Sequence, residues 1–364
     1  MGLQPDQGGP SEFARPERAG DLTPFLKLLL RGRTLTFDQS RSAFSELVTG
    51  SSHHAEMGAF LALLGQRLPT VDELAGAASV MRDVSEKLPS SIDPARILDT
   101  AGTGGAPKTF NVSTLAALIA AAGGVFVAKG GNRSRTGRGS AEILESLGVK
   151  VDPGATVERR CLEEAHFAFC FAPAHHPAAR HAMPVRKALG FPTIFNLLGP
   201  LTNPAGARRH AIGVYDRAMV SLVAHTVRDL GAVRALVYHG LDGLDEMTTG
   251  ASTLIAEVTR DAQGGSVREY EVTPEELGVL RANPIAVGPA DLPEATALFR
   301  GVLSGTAPVL PRAMALINAS AALVAGGASA SLREGVQRAA QLIDSGAAQA
   351  TLDTIVRLSN EDQP

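Results

Sequence analysis

Residues 96–131 read RILDTAGTGGAPKTFNVSTLAALIAAAGGVFVAKGG, and this stretch decides the fold. It opens on a short strand, RILDTAG, that stops at Gly102. A glycine-rich loop follows, then an alanine-rich helical run from Asn111 to the Gly123–Gly124 pair, then a second strand, VFVAKGG. Strand, helix and strand at this spacing make a βαβ unit, and its two strands run parallel because the helix carries the chain back across the sheet.

Toward the C-terminus the alternation continues. SAEILESLGV (140–149) reads as a helix, and FAFCFA (167–172), HAIGVY (210–215) and RALVYHG (234–240) read as strands. Helices return in RAMALINASAALVAGG (312–327) and SLREGVQRAAQLIDSGAAQATLDTIVRLSN (331–360). The pattern predicts an α/β fold, a large domain over residues 91–364 with a mainly parallel sheet flanked by helices.

Toward the N-terminus, residues 22–90 predict a small all-helical domain. LTPFLKLLLRG, TFDQSRSAFSELVTG, SHHAEMGAFLALLGQR and TVDELAGAASVMRDVSEKL each space their apolar residues by three and four. Three of these segments open on Thr or Ser, in position to cap a helix, and two close on Gly. Pro89 marks the boundary, and a helical segment around 175–205 is expected to return to the small domain, with proline-stiffened connectors as hinges. Residues 1–21 are rich in Pro, Gly and charge, lack an apolar signal core, and read as a disordered tail.

With 364 residues and 45% apolar content, the chain can bury a large core. A net charge of -3 argues against a general nucleic-acid or membrane binder. Cys161 and Cys170 have no metal-ligand partners nearby and read as buried thiols of a reducing compartment. No run reaches about 18 uninterrupted apolar residues, so no membrane span is expected and the setting reads as cytoplasmic.

In open parallel sheets, ligands bind outside the carboxyl ends of the strands, and four loops fall there. In GTGGAPKTFNVST, Gly102, Gly104 and Gly105 let backbone N–H groups approach an anion, and the next helix begins near Asn111 to Thr114. Thr109, Asn111, Ser113 and Thr114 add donors, so the loop reads as a phosphate site; the plain alternative is a capped glycine turn. It resembles a P-loop, but Pro107 stands where the second glycine is needed and has no N–H to give.

The second loop, KGGNRSRTGRGSAE (129–142), holds four cations and four glycines with no interleaved aromatic. It reads as a second anion site rather than a base-stacking surface, or else as a solvated basic turn. The third, HGLDGLDEMTTG (239–250), places Asp245 and Glu246 side by side, suited to oxygen ligation of Mg²⁺ that also contacts a phosphorylated ligand. The fourth, residues 175–206, clusters His175, His176 and His181 without thiol or carboxylate partners at zinc spacing. There Arg186 can pair bidentately with a substrate carboxylate or, alternatively, form a surface ion pair.

With these loops in view, the chain resembles the anthranilate phosphoribosyltransferase family from about Leu22 to its end. GTGG…TFNVST, GNR, GSAEILESLGV, VRKALG…TIFNLLGPLTNPA and HGLDGLDE carry the resemblance. It implies 5-phosphoribosyl 1-diphosphate as donor, anthranilate as acceptor, Mg²⁺ as cofactor, and a homodimer formed through the helical domain. By position, it implies that Gly102, Gly105, Thr109, Asn111, Val112, Ser113 and Thr114 hold the donor, with Lys129, Arg138 and Ser140 on its phosphates. Ser113 would help hold one Mg²⁺ and Asp245 with Glu246 the other, and Gly102, Asn132 and Arg186 would face anthranilate. No catalytic acid or base is expected.

Four departures from the family pattern are visible. Ala106–Pro107 and RTGRG each stand in a loop about one residue shorter than usual; Lys108 and Arg138 are candidates to restore charge. Gly130 replaces a histidine and Ala179 a larger side chain, and these two changes bear on the acceptor. They keep open a phosphoribosyltransferase with another aromatic acceptor. A nucleoside phosphorylase conflicts with the Asp245–Glu246 pair. A non-catalytic nucleic-acid binder using Lys129, Arg133, Arg135 and Arg138 would predict salt-sensitive binding.

Overall fold

The computed structural model describes residues 20–107, 109–134, 136–262, 264–284 and 288–361. All but the last two positions of the expected tail, and also Lys108 and Arg135, lie outside the described residues.

Four helices come first: α1 (Thr23–Leu30), α2 (Phe37–Val48), α3 (His54–Gly65) and α4 (Val71–Asp83). Thr36 and Thr70 cap α2 and α4 as the sequence indicates, each accepting from the N–H three residues on. The cap of α3 is a correction. Ser52 donates its hydroxyl to the Glu46 carbonyl, and His53 caps instead, its Nδ1 accepting from the Ala55 N–H at 3.2 Å. Glu73 does more than close a capping box. It is fully buried, and it accepts from the Leu35 N–H at 2.9 Å, the Thr70 N–H at 2.8 Å and both arms of Arg67 at 2.7 Å.

The α/β part begins with β1 (Ile97–Gly102), α5 (Val112–Ala122), β2 (Phe126–Gly131), α6 (Ser140–Ser146), α7 (Ala155–Ala165) and β3 (Phe167–Phe171). Three short helices follow, α8 (Ala172–His175), α9 (Met183–Leu189) and α10 (Phe195–Leu198). Next come β4 (Arg209–Gly213), α11 (Met219–Asp229), β5 (Arg234–Gly240), β6 (Thr253–Asp261) and β7 (Gly264–Val272). The chain closes with α12 (Leu292–Leu303), α13 (Val309–Gly326), α14 (Leu332–Asp344) and α15 (Ala347–Asn360).

The seven strands form one sheet in the order β3-β2-β1-β4-β5-β6-β7. The pairings among β1 to β5 are parallel, and β6 and β7 join antiparallel. The chain leaves β1 toward β2 on one side and later enters β4 on the other, so the strand order reverses between β1 and β4. Their last residues, Gly102 and Gly213, stand directly opposite each other at this switch point. The β6–β7 hairpin and α12 were not among the expected elements. The long C-terminal helical stretch is two helices, broken at Gly346, whose φ of +76° is a left-handed value that glycine adopts freely.

Alternate strand residues feed the two faces of the sheet. Leu98, Ala211 and Leu236 share a core with α5 and α13. Ile212, Ala235 and Val237 share a second core with α11 and the N-terminal helices, and Ala182, Val185, Ile194, Phe195 and Leu198 of the returning segment join it. By length and hydropathy, α13 meets the test for a membrane-crossing helix, but 67% of it is buried and it packs on α5 and α14 as a core helix. Cys161 and Cys170 are free and buried.

Candidate functional site

Two glycines at the strand ends make room for the acids. A Cβ on Gly213 would lie 1.7 Å from the Asp245 carbonyl oxygen, and one on Gly102 would lie 2.8 Å from Asp245 Oδ2. The Asp245–Glu246 turn therefore lies directly over the switch point. It is tied from below by Asn318 of α13, whose Oδ1 accepts from the Met247 N–H at 3.0 Å and whose Nδ2 donates to the Met247 carbonyl at 2.8 Å.

The glycine-rich loop after β1 folds against these acids. The Gly104 N–H donates to Asp245 Oδ2 at 3.1 Å, and the Thr109 hydroxyl donates to Glu246 Oε2 at 2.8 Å. Gly104 and Gly105 have φ of +65° and +104°, so other residues would be strained there. Burial and the neighbouring Asp245 charge raise the Glu246 carboxyl to about 8, against the opposing pull of the Thr109 hydroxyl. Asn111 sits at the N-cap of α5, but its side chain accepts no bond from the helix, and its amide donates to the Arg138 carbonyl at 3.2 Å. The Arg138 guanidinium reaches the Pro289 carbonyl.

These elements enclose a cavity of about 150 Å³ lined by Gly105, Thr109, Asn111, Val112, Ser113, Arg138, Asp245 and Glu246. Six of the expected donor-binding residues and all three expected metal ligands therefore meet around one space. Three other expected donor residues line neither this cavity nor the larger one beside it: Thr114, Lys129 and Ser140. Lys129 is 2% exposed and turned under α5, donating to the Thr100 carbonyl and, at 3.3 Å, to Ser113 Oγ. Burial lowers its ammonium to about 8 despite the nearby Asp99. Arg133 pairs with Glu145 at 2.7 Å. The cations of this loop that are described are thus turned inward or engaged, rather than forming an open basic face.

The acids suit Mg²⁺ by chemistry. They are hard oxygen donors, one carboxyl is held high by burial beside a second acid, and a divalent cation would offset both effects. Among the described residues no cluster of three or more His, Cys, Asp or Glu could hold a metal by itself. Two carboxylates match an ion completed by substrate phosphates and water.

The second cavity, about 530 Å³, is lined by Gly102 at the end of β1, two residues before Gly104 in the wall of the first. Asn132 and Arg186 line it, together with Gly130 and Ala179. The Arg186 guanidinium lies 4.9 Å from the Phe195 ring centroid, which holds it by a cation–π contact.

Sequence reasoning assigned no ligand role to Asp99, His176 or Asn203 of this wall. His176 Nδ1 is buried with no hydrogen-bond partner among the described residues, and burial lowers the ring to about 4. The adjacent His175 is instead structural. Its Nδ1 faces the Glu86 carbonyl at 2.9 Å and its Nε2 faces Glu158 at 3.0 Å. Both partners are acceptors, so they favour the imidazolium and raise its pKa against the cost of burial.

The glycosyl transferase family a/b domain matches residues 94–349, and that family's helical bundle domain matches residues 23–85. The anthranilate phosphoribosyltransferase of Azorhizobium caulinodans is 43% identical over 94% of this chain and 97% of its own. That of Halorhodospira halophila is 44% identical over 94% and 99%. The crystal structure of anthranilate phosphoribosyltransferase from Thermus thermophilus superposes with a TM-score of 0.85 at 38% identity, covering 92% of this chain and 99% of its own. The Saccharomyces cerevisiae enzyme, solved in complex with PRPP and Mg, shares the fold with a TM-score of 0.82 at 23% identity, over 93% and 97%. By identity and coverage, and with the fold and loops already described, the chain belongs to the anthranilate phosphoribosyltransferase family.

Proposed function

We propose that the protein transfers the 5-phosphoribosyl group from 5-phosphoribosyl 1-diphosphate to the amine of anthranilate and releases diphosphate, a step of tryptophan biosynthesis. The observation that carries this reading is the nearness of two cavities at the end of β1, one small, polar and acid-lined with Gly104 in its wall, the other lined by Gly102 and large enough for an aromatic ring.

Donor phosphates would enter the small cavity. The N–H groups of Gly105 and of the first turn of α5 supply donors and the positive end of the helix dipole. Thr109, Asn111, Ser113 and Arg138 add side-chain donors. Asp245 and Glu246, with Ser113 beside the diphosphate, would hold Mg²⁺, which when bound neutralises charge on the departing diphosphate. The yeast relative solved in complex with PRPP and Mg supports the use of Mg²⁺. The acceptor would lie in the large cavity, its carboxylate toward Arg186 and its ring beside Asn132. His176, whose Nδ1 has no partner among the described residues, would accept a hydrogen bond from it.

The amine nitrogen attacks C1 of the ribose as the C1–oxygen bond to diphosphate breaks, with inversion. An aromatic amine sheds its proton after attack begins, so the chain needs no strong base. Its contribution is positioning and charge stabilisation. We assign the protein as a homodimer joined through the helical domain, where Leu30, Phe37 and Leu68 are exposed apolar residues. Arg186→Ala tests the acceptor assignment. It should raise the anthranilate KM at least tenfold and leave the donor KM within about twofold. Equal effects on both would remove Arg186 from the acceptor site.

A further inference from the structure

The floor of the large cavity holds a buried carboxylate that the transfer reaction does not use. Asp99 is 1% exposed, lies in β1 and lines the cavity wall. Its Oδ1 accepts from the Gly130 N–H at 3.1 Å, and its Oδ2 accepts from the Asn203 amide at 2.9 Å. The Thr100 N–H also points to it; burial raises its pKa, and the Lys129 ammonium and these hydrogen bonds oppose that shift. A carboxylate offers about four lone-pair positions, so these donors leave room for one more.

Asn203 cannot take that fourth bond to a ligand itself. Its other amide hydrogen goes to the Ala128 carbonyl, and its oxygen accepts from the Ala205 and Ala207 N–H groups. Gly130 leaves the way open. A Cβ there would stand 3.5 Å and 3.9 Å from the two Asp99 oxygens and would meet nothing else within 4 Å. The backbone of Gly130 does not require glycine, because its φ is not positive. At about 530 Å³ the cavity matches sites for drug-sized ligands, roughly 300–1,000 Å³, and exceeds what one unsubstituted ring fills.

We propose that the gap at Gly130 makes Asp99 a specificity determinant: the cavity prefers aminobenzoates whose ring carries an extra hydrogen-bond donor, a hydroxyl or second amine, reaching Asp99. The inference rests on the large cavity being the acceptor site. All present partners of Asp99 are donors, so the group that completes its shell must also donate. A halogen or ether of similar size would leave the carboxylate facing an acceptor and would be rejected.

The test compares the four ring hydroxyanthranilates with their fluoroanthranilate counterparts. Dissociation constants come from fluorescence titration of the full chain, and kcat/KM from turnover with donor and Mg²⁺. At one ring position the hydroxyl compound should bind roughly tenfold or more tighter than the fluoro compound, the gain expected for a hydrogen bond to a charged group. Gly130→Leu, which roofs Asp99, and Asp99→Asn should each bring that ratio to within about twofold. Gly130→Ala, whose methyl makes only an ordinary contact, serves if either variant fails to fold. A ratio near unity at every position in the unaltered protein would overturn the proposal, as would a preference that survives Gly130→Leu. Binding reads the preference without turnover. A hydroxyl preference without any transfer would sink the proposed function alone, and transfer to anthranilate without the preference would sink this inference alone.

Discussion

At the residue scale, the site is made by side chains that are missing as much as by those present. Gly102 and Gly213 are needed because the Asp245 turn occupies the space their Cβ atoms would take. Gly102→Ala should push the acid off the switch point and lower kcat/KM by roughly 10²-fold, the scale of an ångström-sized misplacement. Steady-state kinetics across a Mg²⁺ titration would show this as a raised Mg²⁺ requirement. Glu246 gives a second prediction. Its folded carboxyl titrates near 8, above its ordinary value of 4.5, so between those values the folded chain holds a proton that the unfolded chain has lost. Stability of the metal-free protein should therefore fall as pH rises from about 5 to 8, and Mg²⁺ should raise Tm more at pH 8 than at pH 6. Glu246→Gln should flatten both trends in thermal melts. The glycines, Thr109, Ser113 and the acid pair were legible in the sequence because each sits in a short loop with an obvious chemistry. Asp99 and His176 were not: one lies inside a strand, the other beside a second histidine, and only burial and partners separate a structural imidazole from an unpaired one. Lys129 misleads for the same reason, since its charge is visible in the sequence while its inward turn is not.

At the element scale, the acid turn depends on a helix distant in the chain. Asn318 sits in the middle of α13, 3% exposed, and spends its amide on both backbone groups of Met247 and on the Met314 carbonyl. Asn318→Ala removes the side-chain partner of the Met247 N–H and carbonyl, at about 1–3 kcal/mol each. It should lower Tm and weaken Mg²⁺ activation together; a lowered Tm with unchanged Mg²⁺ dependence would show that Asn318 supports the helix and not the acid turn. Nothing about an asparagine in an apolar helix announces that tether. The strands β1 to β5 were readable because buried parallel strands are short apolar runs between helices. The β6–β7 hairpin was not, because β7 is a sheet edge carrying Arg268, Glu269 and Glu271, and its polar residues hide a strand. Its charges are nonetheless organised: Glu257 of β6 receives Arg234 at 2.9 Å, Arg268 at 3.1 Å and the Tyr270 hydroxyl at 3.2 Å.

At the scale of the whole molecule, the helical and α/β parts are stitched across the residues that connect them. Arg82 donates to the Leu201 carbonyl at 2.6 Å, the Leu88 N–H to the Pro204 carbonyl at 3.1 Å, and His175 clasps Glu86. The large cavity lies among these same segments, so a shift of the helical part changes its walls. The proposed dimer places its contact on the helical part, and Leu30→Glu with Leu68→Glu should convert a dimer to a monomer in sedimentation velocity. A dimer that persists would move the interface elsewhere. The central claim is the transfer reaction itself, and the most direct measurement is the fluorescence of anthranilate mixed with purified protein, donor and Mg²⁺, repeated without donor and without metal. The account predicts a fluorescence loss at ordinary enzyme rates, roughly 1–10³ per second, that requires both donor and Mg²⁺. No loss of anthranilate fluorescence, with the donor shown to bind by calorimetry, would contradict it.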